Sequence, residues 1–315
     1  KNSSFTLSGG EMASQFNRNN PILPFPNSIA ARFFDQSLMK LYQQRYIRGE
    51  YTIRNIRDIF GFDLALEYEK RTELFNEPRS RPIFFWDRYY YTPNKPVNNE
   101  LDDTGFSQHN ALLLDVTTHI SPWRRYLIRN GKKRYIRSNG PSFSLHYKGG
   151  LPVVGAVNYA LLETTIRQNL RIGPRSNLDY SVNTGKFLGN KPQYFQDYKH
   201  FMGNEFFFLW GDTPHQFKML PYYRYSTSRW FVQGHAMWSL QHFLLTGIEP
   251  LRVTGLTENL QIHYLKSPTM ANYTELVYGI ANIYRVVKLE TVAQFHGVEF
   301  QRMGFRIGTN IRIGR

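Results

Sequence analysis

The sequence predicts an all-β chain: an antiparallel transmembrane β-barrel with about twelve strands in this stretch, part of a larger barrel, with long extracellular loops and one short loop helix. Three observations carry that expectation. Segment after segment alternates apolar and polar residues with a period of two, the pattern of a strand with one greasy face. The connections between those segments alternate long and short, as outer loops and periplasmic turns do. No run of about 18 or more apolar residues occurs, which argues against a membrane-spanning helix. A barrel escapes that test, because only every second residue of its strands faces lipid.

The alternation is fullest between Tyr273 and Ile313. Val287, Leu289, Ala293 and Phe295 oppose Lys288, Glu290 and Gln294, and later Phe305, Ile307, Thr309, Ile311 and Ile313 oppose Arg306, Gly308, Asn310 and Arg312. A helical period would mix the two sets.

From the N-terminus, Phe5 to Phe16 reads as a weak strand. After the Asn20-Pro21-Ile22 turn comes helical spacing at Ile29, Phe33, Leu38, Leu41 and Tyr42, with Asn27 or Ser28 as N-cap. Arg45 to Ile56 and Phe60 to Glu69 alternate again, around a tight turn at Asp58. The region 72–110 is polar, proline-rich and aromatic, and its length marks an exposed functional or mobile loop. Leu112 to Ile120 returns as a strand. Residues 121–141 form a basic hairpin centred on Asn130-Gly131, the strongest short-range signal for a type I′ turn. Strands follow at 143–147, 162–167 and 178–183, then an aromatic loop over 189–228, and strands from Trp230 and Leu256. Long connections are thus expected near 17–44, 72–110, 189–228 and 265–272, and short ones near 57, 170, 245 and 283. The basic hairpin falls on the periplasmic side.

The 315 residues suffice for one large β-domain, read here as a single domain over 1–315. The formal charge of +15 suggests an anionic partner without naming it. Cysteine is absent, which excludes disulfides, thiolate nucleophiles and cysteine-held metals. A soluble β-sandwich would alternate too. Against it, charged residues occupy the polar face of nearly every strand and the long loops recur at one end.

Several phrases resemble a Bacteroidota outer-membrane β-barrel family of unknown function whose members carry a carboxypeptidase-regulatory-like domain. They are Asn20-Pro21-Ile22 with Asn27, Leu41-Tyr42, Tyr68 with Arg71, Leu74 and Asn76, then Gly185-Lys186-Phe187, Gly203-Asn204, Tyr278-Gly279-Ile280 and Asn282-Ile283. The resemblance implies the C-terminal barrel portion of a longer protein and a distant similarity to outer-membrane assembly and translocation barrels. The Arg-Gly-Phe loop motif of those barrels and their final aromatic residue are missing. The family brings no established functional residues.

Candidate chemistry is sparse. Asp115, His119 and His146 could lie on neighbouring strands near the rim, a histidine as base and the Asp orienting it, but a solvated polar face explains them as well. The histidines lack a His-Glu-x-x-His spacing, and Thr184-Gly185-Lys186 lacks the upstream glycine of a phosphate loop. No enzyme activity, cofactor or metal is expected. Asp63, Glu67, Glu163, Arg167, Lys288, Glu290 and Arg306 are expected to form a salt-bridge ladder across the lumen. Trp86, Tyr89, Tyr90, Tyr91, Trp210, Tyr222 and Tyr223 are the expected partner surface, because exposed aromatic residues are enriched at binding hot spots. Arg124, Arg125, Lys132, Lys133, Arg134 and Arg137 make the hairpin basic.

The sequence therefore points to an integral protein of the bacterial outer membrane, a non-enzymatic subunit or scaffold of an envelope assembly, export or uptake complex. Its expected partners are outer-membrane lipids, lipopolysaccharide and other outer-membrane or periplasmic subunits, with no nucleic acid. A stand-alone pore or transporter is the alternative, followed by a barrel hydrolase and a soluble basic protein.

Overall fold

A computed structural model describes residues 2–34, 36–76, 92–136, 139–210, 214–241, 243–252 and 254–309. Strands β1 (Asn2–Gln15), β2 (Leu41–Ile56), β3 (Phe60–Glu73) and β4 (His109–Ile120) open the chain, with helix α1 (Pro24–Phe34) between the first two. A hairpin of β5 (Arg125–Arg129) and β6 (Lys132–Ile136) precedes β7 (Ser142–Gly150), β8 (Tyr159–Arg171) and β9 (Ser176–Leu188). The short β10 (Phe208–Trp210) comes next, then β11 (Trp230–Leu240), the one-turn α2 (Glu249–Arg252) and β12 (Thr257–Ser267). The end is β13 (Met270–Ile283), β14 (Val287–His296) and β15 (Glu299–Thr309).

Twelve of these strands form one antiparallel meander, and β10 adds to β15 in parallel to make a 13-stranded sheet. Connections at one end are mostly short, at 57–59, 172–175 and 284–286, with the β5–β6 hairpin joining β4 to β7 there. The long connections 16–40, 74–108 and 189–229 all lie at the other end. Among the described residues β1 pairs only with β2, so the sheet is open with two free edges and does not close into a barrel.

Three local expectations change. The helix runs from Pro24 to Phe34, because proline is suited to the first helical turn. Leu41 and Tyr42 lie in β2, and the Asn27 side chain accepts from the Met39 N–H at 2.8 Å instead of capping. The expected loop at 265–272 is a two-residue turn, because β12 continues to Ser267 and β13 begins at Met270. Asn130 and Gly131 both have positive φ, 51° and 69°, as a type I′ turn requires.

The burial pattern is inverted relative to a water-soluble sheet. On β3, Leu64, Leu66 and Tyr68 are 37%, 48% and 37% exposed, while Glu67, Glu69 and Arg71 on the opposite face are 4%, 0% and 0% exposed. The same holds across the sheet: Ile262, Leu276, Leu289 and Ile307 face out, and His263, Glu275, Glu290 and Arg306 are buried. The buried side is filled by the long connections. Phe195, Phe206, Tyr222 and Tyr223 from 189–229 pack with Phe16, Ile22 and Tyr42, and Phe201, Phe217 and Leu220 pack with Tyr159, Phe187 and Phe231 of the sheet.

Candidate functional site

The site is the concave, charged face of the sheet and the two segments inserted against it, 16–24 and 189–229. Arg71 on β3 is fully buried and holds Asp197 of the inserted segment in a bidentate pair, Nη1 to Oδ2 at 2.7 Å and Nη2 to Oδ1 at 2.8 Å. Its Nε donates to Glu69 at 2.6 Å. Burial pushes the Asp197 carboxyl up, and the charge and hydrogen bonds of Arg71 more than reverse that, holding it at about 2. Arg18 bridges Glu67 and Glu69 from the other insertion.

The inserted segment is fastened to the far side of the sheet as well. The backbone N–H groups of Lys218 and Met219 donate to Glu275 on β13 at 2.6 and 2.8 Å. Lys199 donates to both oxygens of Glu163, at 2.9 and 2.8 Å. Arg306 donates to the carbonyls of Phe206 and Asn204. One stretch of chain is therefore tied to β3, β8, β13 and β15.

These contacts revise the expected ladder. Asp63 with Arg54 at 2.7 Å and Glu67 with Arg48 at 2.9 Å are cross-strand pairs. Lys288 and Glu290 pair along one strand at 2.8 Å, and Lys218 reaches Glu290 at 3.7 Å. Glu163 and Arg306, however, serve the inserted segment, and Arg167 has no hydrogen-bond or ion-pair partner for its side chain among the described residues. Wall-to-wall pairing fails for Glu163 and Arg306 because the inserted segment occupies the space, offering the Lys199 ammonium to the first and backbone carbonyls, which need polar partners, to the second.

The expected aromatic partner surface is also corrected in part. Tyr222 and Tyr223 are 6% and 4% exposed, core residues of the insertion that present no docking face. Trp86, Tyr89, Tyr90 and Tyr91 lie outside the described residues, and of Trp210 only the backbone, paired with Thr309, is described. In the hairpin, Arg124 stacks over Tyr135 at 4.4 Å, and Lys133 and Tyr135 both donate to Asp58 in the β2–β3 turn. The hairpin is thus fastened to the sheet end, with Arg125, Lys132 and Arg134 exposed; Arg137 lies outside the described residues.

Histidines of the concave face come in pairs with aspartates. His119 Nε2 is 2.9 Å from Asp63, His146 Nε2 is 3.0 Å from Asp115, and His215 Nε2 is 3.2 Å from Asp179. Asp115 and His146 thus meet as the sequence suggested, while His119 goes to Asp63. His235 and His263 face each other, Nδ1 to Nδ1 at 2.9 Å, in the buried interior. Among the described residues no three His, Asp or Glu side chains converge as a metal site.

Residues 1–280 match the model for the C-terminal domain of a family of unknown function, DUF5686. The chain belongs to that family. No curated protein matches it. In this DUF5686 domain the inserted segments leave a cavity of about 720 Å³ against the sheet, lined by five Arg and Lys and three Asp and Glu side chains. Arg18, Arg71, Asp197, Lys199, Lys218 and His215 escaped the sequence reading as site residues. All except Arg71 lie on connections, where no periodicity marks a side chain as facing inward.

Proposed function

We propose that this chain forms part of the wall, and the filling, of a larger integral β-barrel in the outer membrane of a Bacteroidota cell, and serves as a scaffold subunit of an envelope assembly, export or uptake complex. The inverted burial carries this reading. Leaving a Leu- or Phe-sized side chain in water forgoes roughly 1.5–3 kcal/mol of burial, and the exposed set recurs on strand after strand. Hydrocarbon around the sheet turns that loss into a gain and leaves the charged face for the interior. Strands of 13–14 residues such as β3, β8 and β13 exceed the roughly 9–11 that a tilted spanning strand needs. On the outer face of β11, Trp230 and Trp238 stand eight residues apart, about 26 Å along the strand, and Val232, Gly234 and Ala236 between them suit an apolar band edged by aromatic residues.

A scaffold fits better than a conducting pore because the inserted segment occupies the interior and is fastened at both sides. The outer face would meet lipid and lipopolysaccharide, and the hairpin at the short-turn end would meet periplasmic subunits. Membranes from cells making the full-length protein, washed at alkaline pH and then extracted in mild detergent, test both parts. Retention through the wash and stoichiometric co-purifying proteins are expected. Release without detergent would refute the membrane reading. A lone barrel that conducts in planar bilayers would replace the scaffold with the pore.

A further inference from the structure

The third Asp–His pair differs from the other two. Asp179 and Ser181 lie two residues apart on β9 and share a face, and His215 reaches both from the inserted segment. His215 Nε2 is 3.2 Å from Asp179 Oδ1, and its Nδ1 is 3.0 Å from Ser181 Oγ. The second oxygen of Asp179 accepts from Asn169 Nδ2 at 2.8 Å, which fixes the carboxylate. One tautomer satisfies every contact: Nε2–H donates to Asp179, and the lone pair of Nδ1 accepts the Ser181 hydroxyl proton. His119 and His146 have no hydroxyl partner among the described residues.

The surroundings supply two further requirements of acyl transfer. Ser181 and His215 both line the cavity of about 720 Å³, so a substrate has room beside the hydroxyl. Arg167 on β8 is the direct cross-strand neighbour of Ser181, lines the same cavity, and has no hydrogen bond or ion pair on its side chain among the described residues. Its charge also acts on Asp179, and a guanidinium whose N–H groups are not taken by a side-chain partner, next to a hydroxyl, is placed to meet negative charge that develops on a carbonyl oxygen. In the remaining lining Arg18, Arg48, Lys148 and Lys199 outnumber Asp115, Glu163 and Asp197 by one, and with Arg167 the cations lead by two, which suits a small anionic substrate and does not solvate a long acyl chain.

We propose that Ser181, His215 and Asp179 form a hydrolytic centre for small, negatively charged esters, an activity beyond the scaffold role. Ser181 Oγ adds to the ester carbonyl carbon while its proton passes to His215 Nδ1. The resulting oxyanion faces Arg167. The carbon–oxygen bond to the alcohol breaks, His215 returns the proton to the departing alkoxide, and an acyl-Ser181 ester remains. Water then adds to that ester, giving its proton to His215; as the bond from the acyl carbon to Ser181 Oγ breaks, His215 passes that proton to Oγ, which releases the acid and restores the serine. Asp179 holds the imidazole in the required tautomer throughout.

The test uses the full-length protein in detergent micelles, a fluorophosphonate probe, and two reporters, 4-methylumbelliferyl acetate and the hemisuccinate of 4-methylumbelliferone. The probe should label wild-type protein at Ser181, located by mass spectrometry, with loss of fluoride. Ser181→Ala and His215→Gln should remove labelling and lower turnover at least about 100-fold, and Arg167→Gln should lower kcat for both esters by about 100-fold. Gel mobility before and after heating reports whether each variant folds. Wild-type protein that stays unlabelled at Ser181 overturns the centre whatever the variants do. Labelling that survives His215→Gln in a folded protein also overturns it. A higher kcat/KM for the acetate than for the hemisuccinate overturns the substrate class.

Discussion

Replacing Arg71 by Met should release the inserted segment while the strands stay paired. The change leaves Asp197, buried to 1% exposure, without its two short hydrogen bonds, and leaves Glu69 with Arg18 and Gln44 alone. Removing one member of a buried pair costs roughly 3–5 kcal/mol. The carboxyl gives an independent gauge: at about 2 in the folded protein, it contributes about 2–3 kcal/mol relative to an ordinary Asp. Because the folded value is depressed, that contribution is present above about pH 4 and is lost as pH falls towards 2. A cost of 3–5 kcal/mol raises the open population by about 10²- to 10³-fold or more. Lys199 and Lys218 are tryptic sites inside the segment, so cleavage there under conditions of fast closing reads the open population directly. The double variant Arg71→Met, Asp197→Leu should recover most of the loss, because no charge is then left unpaired. Cleavage of Arg71→Met at the wild-type rate would refute the clamp.

Other expectations follow from the same geometry. Leu66→Arg on the outer face of β3 should cost about 2–4 kcal/mol for a protein folded in vesicles, read from urea midpoints; a cost under about 0.5 kcal/mol would mean that this face does not meet hydrocarbon. Gly203 approaches the inserted segment's own backbone so closely that an added Cβ would lie 2.2 Å from the Leu220 carbonyl oxygen. Gly203→Ala should therefore destabilise the insertion by about 1–3 kcal/mol and speed its proteolysis. The hydrogen bond from Lys133, with that from Tyr135, holds the Asp58 carboxyl below its ordinary range. The hairpin's attachment should then be complete above about pH 4 and weaken as pH falls through the depressed value. Asp58→Asn should remove that dependence, as seen in Tyr135 ring resonances.

Alternation made the strands legible. On β3 and β14 the two faces differ so sharply in polarity that period two stands out without tertiary information, and Asn130-Gly131 announces its turn through the need for positive φ. The insertion was not legible for a physical reason. Tyr222 and Tyr223 look like exposed loop aromatics until the sheet provides a concave face to fill, and the Arg71–Asp197 pair joins residues 126 positions apart. The hydroxyl partner of His215 was hidden the same way: Ser181 sits on a strand, its base on a connection.

The three residues of β10 belong to the inserted segment, yet they hydrogen-bond to the last three of β15, Ile307 to Thr309, at the sheet's free edge. The filling is stitched to the rim. Any strand that adds along the whole of β15 must first displace 208–210, so the sheet cannot be extended at that edge without tugging on the chain that occupies its interior.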